Sequence, residues 1–149
     1  MDVAGQDNAE GLVLVVDDEP GVRLVARRVL ERAGFRVCVA VDGREALEVH
    51  AQRRSEICAV LLDMSMPRMR GDEVLRSLRE RTPDLGVVLT SGFDPPPELA
   101  GVVFLAKPWT PQELLAALRD ALSRRCGTRS RGADGATERG VAGGPGDRR

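Results

Sequence analysis

Five short aliphatic runs alternate along this chain with segments of helical periodicity, and each closes on, or is followed at once by, a polar or charged residue. The runs are Leu12–Val16, Phe35–Val41, Ala59–Asp63, Leu85–Thr90 and Val102–Ala106. The third constrains the fold most: Ala59-Val60-Leu61-Leu62 is wholly apolar, stops at the carboxylate of Asp63, and is followed by the turn signals Met66-Pro67 and Gly71. A run too short for a buried helix and rich in aliphatics reads as a central strand covered on both faces. Strands alternating with helices build βαβ units, a parallel sheet and right-handed crossovers, hence a three-layer α/β sandwich. The carboxyl ends of such strands open on one edge, where open α/β sheets place their chemistry.

The helices between the runs carry their own punctuation. Pro20 suits a first helical position; Val22, Val25, Ala26, Val29 and Leu30 recur at helical spacing, and Gly34 fits the stop. Asp42 and Glu45 have capping-box spacing ahead of Ala46, Leu47 and Val49. Val74, Leu75 and Leu78 mark a third helix over Asp72 to Glu80. Thr110-Pro111-Gln112-Glu113 is a second capping box, followed by the stripe Leu114, Leu115, Leu118 and Leu122. Only 15 residues separate Ser91 from Lys107, and they include Pro95, Pro96 and Pro97. Consecutive prolines remove amide donors and disfavour helical geometry before them, so at most one turn, a shortened fourth helix, is expected there. The organisation read from the chain is a flexible lead-in over 1–10, one domain over 11–122, and a disordered Gly/Arg-rich tail over 123–149. That tail carries seven arginines against three acidic residues and almost no large apolar side chain.

Composition excludes more than it suggests. With 42% hydrophobic residues, 30% charged residues and a net charge of −1, nothing points to nucleic acid or a membrane. The longest apolar runs are far too short to span a bilayer, and Met1 to Glu10 has no basic-then-apolar leader. Cys38 and Cys58 read as buried, reduced thiols, so a cytoplasmic location is expected. His50, the sole histidine, reads as a solvated residue at a polar helix end. Arg23, Arg27 and Arg28 read as a solvated helix face, and Met64, Met66, Met69 and Trp109 as packing residues.

The strand ends hold the chemistry. The first delivers Asp17 and Asp18, the third Asp63, the fourth Ser91 and the fifth Lys107. Three carboxylates in one crevice repel each other unless a cation sits among them. With no histidine or cysteine nearby the ligands are hard oxygens, which favours magnesium (Mg2+). A hard cation, a lysine and a hydroxyl around one carboxylate form a cradle for a phosphoryl group.

Four motifs in order, Val15-Val16-Asp17-Asp18-Glu19, Leu62-Asp63 through Gly71, Thr90-Ser91-Gly92 and Phe104-Leu105-Ala106-Lys107-Pro108, resemble the receiver domain of bacterial two-component response regulators, in its single-domain, CheY-like form. The resemblance covers roughly Gly11 to Leu122. It implies a flavodoxin-like, doubly wound sheet of order 2-1-3-4-5, with Asp63 as phosphoacceptor from a histidine kinase or histidine phosphotransfer protein. It implies metal ligation by Asp17, Asp18, Asp63 and the backbone carbonyl of Ser65, with Asp17 acting largely through water. Lys107 would contact a phosphoryl oxygen, Ser91 another, and the rotamer of Phe104 would follow Ser91 as a switch. Ser91 is preferred over Thr90 because a small residue, Gly92, follows it, and neighbouring strand residues point to opposite faces.

The function expected is a phosphorylation-switched module acting on a downstream target protein, not a turnover enzyme. No DNA-binding domain and no membrane partner are expected, since only 27 residues follow Leu122. Two other readings remain: a haloacid-dehalogenase-type phosphatase, whose second Asp would fall where Ser65 stands, and a pseudo-receiver that only binds partners.

Overall fold

A computed structural model of the 149-residue chain describes residues 11–66, 71–92 and 102–124. Five strands form one wholly parallel sheet in the order β2-β1-β3-β4-β5. They are β1 Leu12–Val16, β2 Arg36–Ala40, β3 Ile57–Asp63, β4 Gly86–Ser91 and β5 Val103–Ala106. The described helices are α1 Pro20–Arg32, α2 Gly43–Gln52, α3 Gly71–Arg81 and α4 over residues 111–124. None of the described helices is long and apolar enough to cross a membrane. The expected shortened helix, with its three prolines, lies in 93–101, outside the described residues. So do Met69, the lead-in and the tail from residue 125.

The central strands are buried on both faces, as their unbroken aliphatic sequences require. Leu12, Leu14, Val16, Val60, Leu62 and Leu89 face one layer with Val74, Leu75 and Leu78 of α3 and Ala46 of α2. Val13, Val15, Ala59, Leu61 and Val88 face the other, with Ala26 and Leu30 of α1 and Leu114 and Leu118 of α4. The three-layer sandwich and its strand order are those expected from the chain.

Local chemistry sets the element ends. Ala33, Gly34 and Phe35 close α1 in a Schellman arrangement: the Gly34 N–H donates to Glu31 O at 3.1 Å and the Phe35 N–H to Leu30 O at 3.0 Å. Gly34 sits at φ 101°, a conformation that costs any residue with a Cβ. Thr110 and Glu113 form the reciprocal box, each side chain accepting from the other's N–H at 3.1 and 2.9 Å. At α2 the Asp42 carboxylate accepts from the Glu45 N–H at 2.9 Å, but Glu45 reaches one residue further back, to the Val41 N–H at 2.7 Å. A Cβ at Gly86 would lie 3.3 Å from Ala121 O, so the glycine is what lets α4 settle close on the sheet.

Several expectations need correction. Strand β3 begins two residues earlier than the apolar run suggests, because Leu12 pairs with Ile57 and Val13 with Ala59, leaving Cys58 as an inserted bulge residue. Cys38 and Cys58 are half-buried thiols rather than fully buried ones. The α1 stripe centres on Ala26 and Leu30, and Val25 is 46% exposed at its margin. Helix α4 continues through Ser123 and Arg124, where an Arg124–Asp120 ion pair at 3.2 Å extends it past the last leucine.

His50 departs furthest from its reading: it is fully buried, with Nε2 3.0 Å from Thr82 Oγ1. Beside it the Arg81 guanidinium donates to Leu47 O at 3.1 Å, so α2 is clasped to the C-terminal end of α3. Burial, and then the charges of Arg81 and Arg54, hold the His50 pKa below its ordinary 6.5. A depressed histidine pKa makes its contribution fully present above about 6.5 and lost as pH falls toward the folded-state value. Thermal melts of the wild type at pH about 7.5 and about 5.5 are expected to differ by more than those of His50→Gln. Gly34→Ala is expected to cost roughly 1–2 kcal/mol, a drop of several degrees in Tm by calorimetry.

Candidate functional site

Asp17 follows β1 directly and Asp63 ends β3, so the parallel arrangement brings both to one edge, each only 2% exposed. Asp18 beside them is exposed, and the three carboxylates offer oxygens all within 4.8 Å of one another. From the end of β5 the Lys107 side chain crosses the end of β4 to reach them. Its Nζ lies 3.0 Å from Asp17 Oδ2, 3.5 Å from Asp63 Oδ2 and 3.6 Å from Glu19 Oε1. Asp17, Asp18, Asp63 and Lys107, named from sequence, are therefore one cluster.

Backbone donors hold the acids. The Ser65 N–H donates to Asp63 Oδ1 at 3.0 Å, and the Glu19 N–H to Asp17 Oδ1 at 2.9 Å. Ser65 Oγ lies 3.5 Å from Ser91 Oγ, which joins the loop after β3 to the end of β4. The backbone repeats that link: the Met64 N–H donates to Thr90 O at 3.0 Å, and the Lys107 N–H to Ser91 O at 2.9 Å. Thr90 and Ser91 are both buried, but Thr90 pairs in register with Asp63 and Leu105, on the α1/α4 side. Phe104 pairs with Leu89 and is half-buried against the opposite layer. Trp109 packs on the α1/α4 side and, with Pro20, Val22, Val25, Glu19 and Lys107, lines a cavity of about 860 Å³ beside the acids.

Sequence reasoning missed Arg23. Instead of lying in solvent, it is half-buried and its Nη1 donates to the backbone carbonyl of Asp17 at 2.7 Å. The available signal was an arginine in the first turn of the helix that follows the acidic loop. Arg27 does face solvent, paired with Glu31 at 3.1 Å.

Among the described residues the site is short of positive charge, with one ammonium against three carboxylates. Burial raises the Asp63 pKa; the Ser65 N–H opposes this, the Asp17 charge adds to it, Lys107 opposes it, and Asp18 adds again. Burial works against the Lys107 ammonium, but the hydrogen bond from Lys107 to Asp17 and the charges of Asp17, Asp63 and Glu19 outweigh it and raise its pKa. Three oxygen acids with one lysine among the described residues suit a small hard cation.

The chain matches the response regulator receiver domain family over residues 13–119. It belongs to that family. It is 42% identical over 118 residues to the response regulator MprA of Mycolicibacterium vanbaalenii, covering 75% of this chain and 50% of that relative. Among solved structures it is similar to the chemotaxis protein CheY4 of Vibrio cholerae, at TM-score 0.70 and 29% identity, covering 76% of this chain and all of that one. The receiver domain of the hybrid histidine kinase CckA matches at TM-score 0.67 and 33% identity, over 75% of this chain and 99% of that domain.

These likenesses correct one expectation. The chain spans about half the length of the curated relatives it matches, so receivers of this kind occur joined to further segments. The inference from the 27 residues after Leu122 to a receiver with no DNA-binding domain therefore does not stand. The shortage of positive charge has a testable consequence: without metal, Asp63→Asn is expected to raise Tm by a few degrees, measured by calorimetry in chelator.

Proposed function

We propose that this chain is the phosphoacceptor module of a two-component phosphorelay, with Asp63 taking a phosphoryl group from a histidine kinase or histidine phosphotransfer protein. The observation that carries the reading is the Lys107 ammonium lying against both Asp17 and Asp63 across the strand ends. An Asp63 carboxylate oxygen attacks phosphorus in line, the P–N bond of the phosphohistidine breaks, and the electron pair leaves with the imidazole. Each phosphoryl group consumes one acceptor, so the module acts stoichiometrically.

Asp17, Asp18, Asp63 and the backbone carbonyl of Ser65 would hold Mg2+, whose fit rests on an all-oxygen donor set short of positive charge. Bound there, the cation neutralises phosphoryl oxygens during transfer. Lys107 neutralises a further oxygen and gives up part of its contact with Asp17 to do so. Ser91 hydrogen-bonds another oxygen in place of Ser65, and its movement carries to Phe104 on the same sheet layer. The surface around β4 and β5 then changes for whatever the module controls.

Incubated with acetyl phosphate and Mg2+, the protein is expected to gain one acid-stable, base-labile phosphoryl group, seen by mass spectrometry. Asp63→Asn is expected to gain none, and labelling that persists there overturns the assignment. Lys107→Ala is expected to retain partial labelling but lose the change in Trp109 fluorescence that phosphorylation brings.

A further inference from the structure

Arg23 takes no part in the chemistry above, yet its position is constrained. It is half-buried one turn into α1, and its Nη1 is 2.7 Å from the carbonyl oxygen of Asp17, an unusually direct contact between a helix side chain and the preceding loop. That carbonyl belongs to the peptide joining Asp17 to Asp18. Besides the Lys107 contacts, two backbone donors hold the same short loop: the Asp17 N–H donates to Ala40 O at 3.2 Å, and the Glu19 N–H to Asp17 Oδ1 at 2.9 Å. The first tie anchors the loop to β2 and the second folds it on itself. The Arg23 side chain ties the Asp17 carbonyl to the helix, beside the bond from the Arg23 backbone N–H to Glu19 O at 3.1 Å.

We propose that Arg23 is a positioning residue for the acid pocket, fixing the Asp17–Asp18 peptide so that both carboxylates face the cation site. The inference rests on the reading of that pocket as a cation site. Two effects of Arg23 oppose each other there. Its positive charge, held on the peptide between Asp17 and Asp18, opposes an incoming cation. Its hydrogen bond pre-forms the ligand geometry, and without it Asp18, which is exposed, has to be ordered when the metal binds. A guanidinium also suits this role better than an ammonium, because its planar fork fixes direction as well as distance.

The opposition makes the proposal decidable. If Arg23 acts only through its charge, Arg23→Met tightens metal binding and Arg23→Lys leaves it unchanged. If it acts by position, both variants weaken Mn2+ binding, by about tenfold for Arg23→Met, as loss of an outer-shell partner does elsewhere. Mn2+ affinity is read by electron paramagnetic resonance on the whole chain, with Tm recorded for each variant. Wild-type or tighter affinity in either variant overturns the proposal. A second arm needs no metal: exchange of the Glu19 amide is expected to quicken in both variants in chelator, while amides of β3 stay protected. Unchanged Glu19 exchange also overturns it. A wild-type protein that binds no Mn2+ would instead sink the cation-site reading, and the exchange arm would still decide the clamp.

Discussion

Everything at the carboxyl edge of the sheet depends on keeping two buried carboxylates side by side. Asp17 and Asp63 are almost wholly removed from water, and like charges so placed are unfavourable unless opposed. Among the described residues they are opposed sparingly, by one ammonium at 3.0 and 3.5 Å and one backbone N–H to each acid. Burial first, with the Asp17 charge adding to it, leaves Asp63 harder to ionise than an ordinary aspartate. The residual imbalance is a standing attraction for positive charge, tuned by how little the fold supplies.

Such an arrangement needs a rigid frame, since a loosely held edge would relax by letting the acids turn outward. The frame is the pair of apolar layers on a sheet whose central strands are buried throughout. Parallel register then does the positioning: Val16 pairs with Leu62 and Asp63 with Thr90, so the acids emerge at neighbouring levels. Ser91 and Lys107 are tied through the backbone by the Lys107 N–H, which holds the ends of β4 and β5 together.

The fold and most of this site were legible in the sequence because both rest on strong local signals. Unbroken aliphatic runs fix buried strands, and a parallel sheet carries whatever follows each run to the same edge. Gly34 and the Thr110–Glu113 pair were legible for the same reason, since caps are decided within a few residues. What escaped was decided between elements. His50 looks like a solvated residue on α2 alone; it is buried because Thr82, at the end of α3, offers its nitrogen a partner. Arg23 belongs to a run of arginines that α1 otherwise turns to solvent, and only the position of the Asp17 carbonyl distinguishes it. The bulge at Cys58 was hidden because it depends on how β1 and β3 align, which neither strand encodes alone.

The same distinction separates what the site can do from what the whole protein does with it. The acids, Lys107 and Ser91 sit at the strand ends and would work alike in a free receiver or in one fused to other segments. The curated relatives run to about twice the matched length, and one similar solved structure is the receiver domain of a hybrid histidine kinase. Specificity has to come from surfaces that vary without disturbing the pocket. The exposed margin of α1 meets that condition: Leu24 and Val25 are about half exposed, and Val25 lines the same cavity as Lys107 and Trp109. Substitutions there leave in place the buried Ala26 and Leu30 that seat the helix on the sheet, and with them the strand-end geometry.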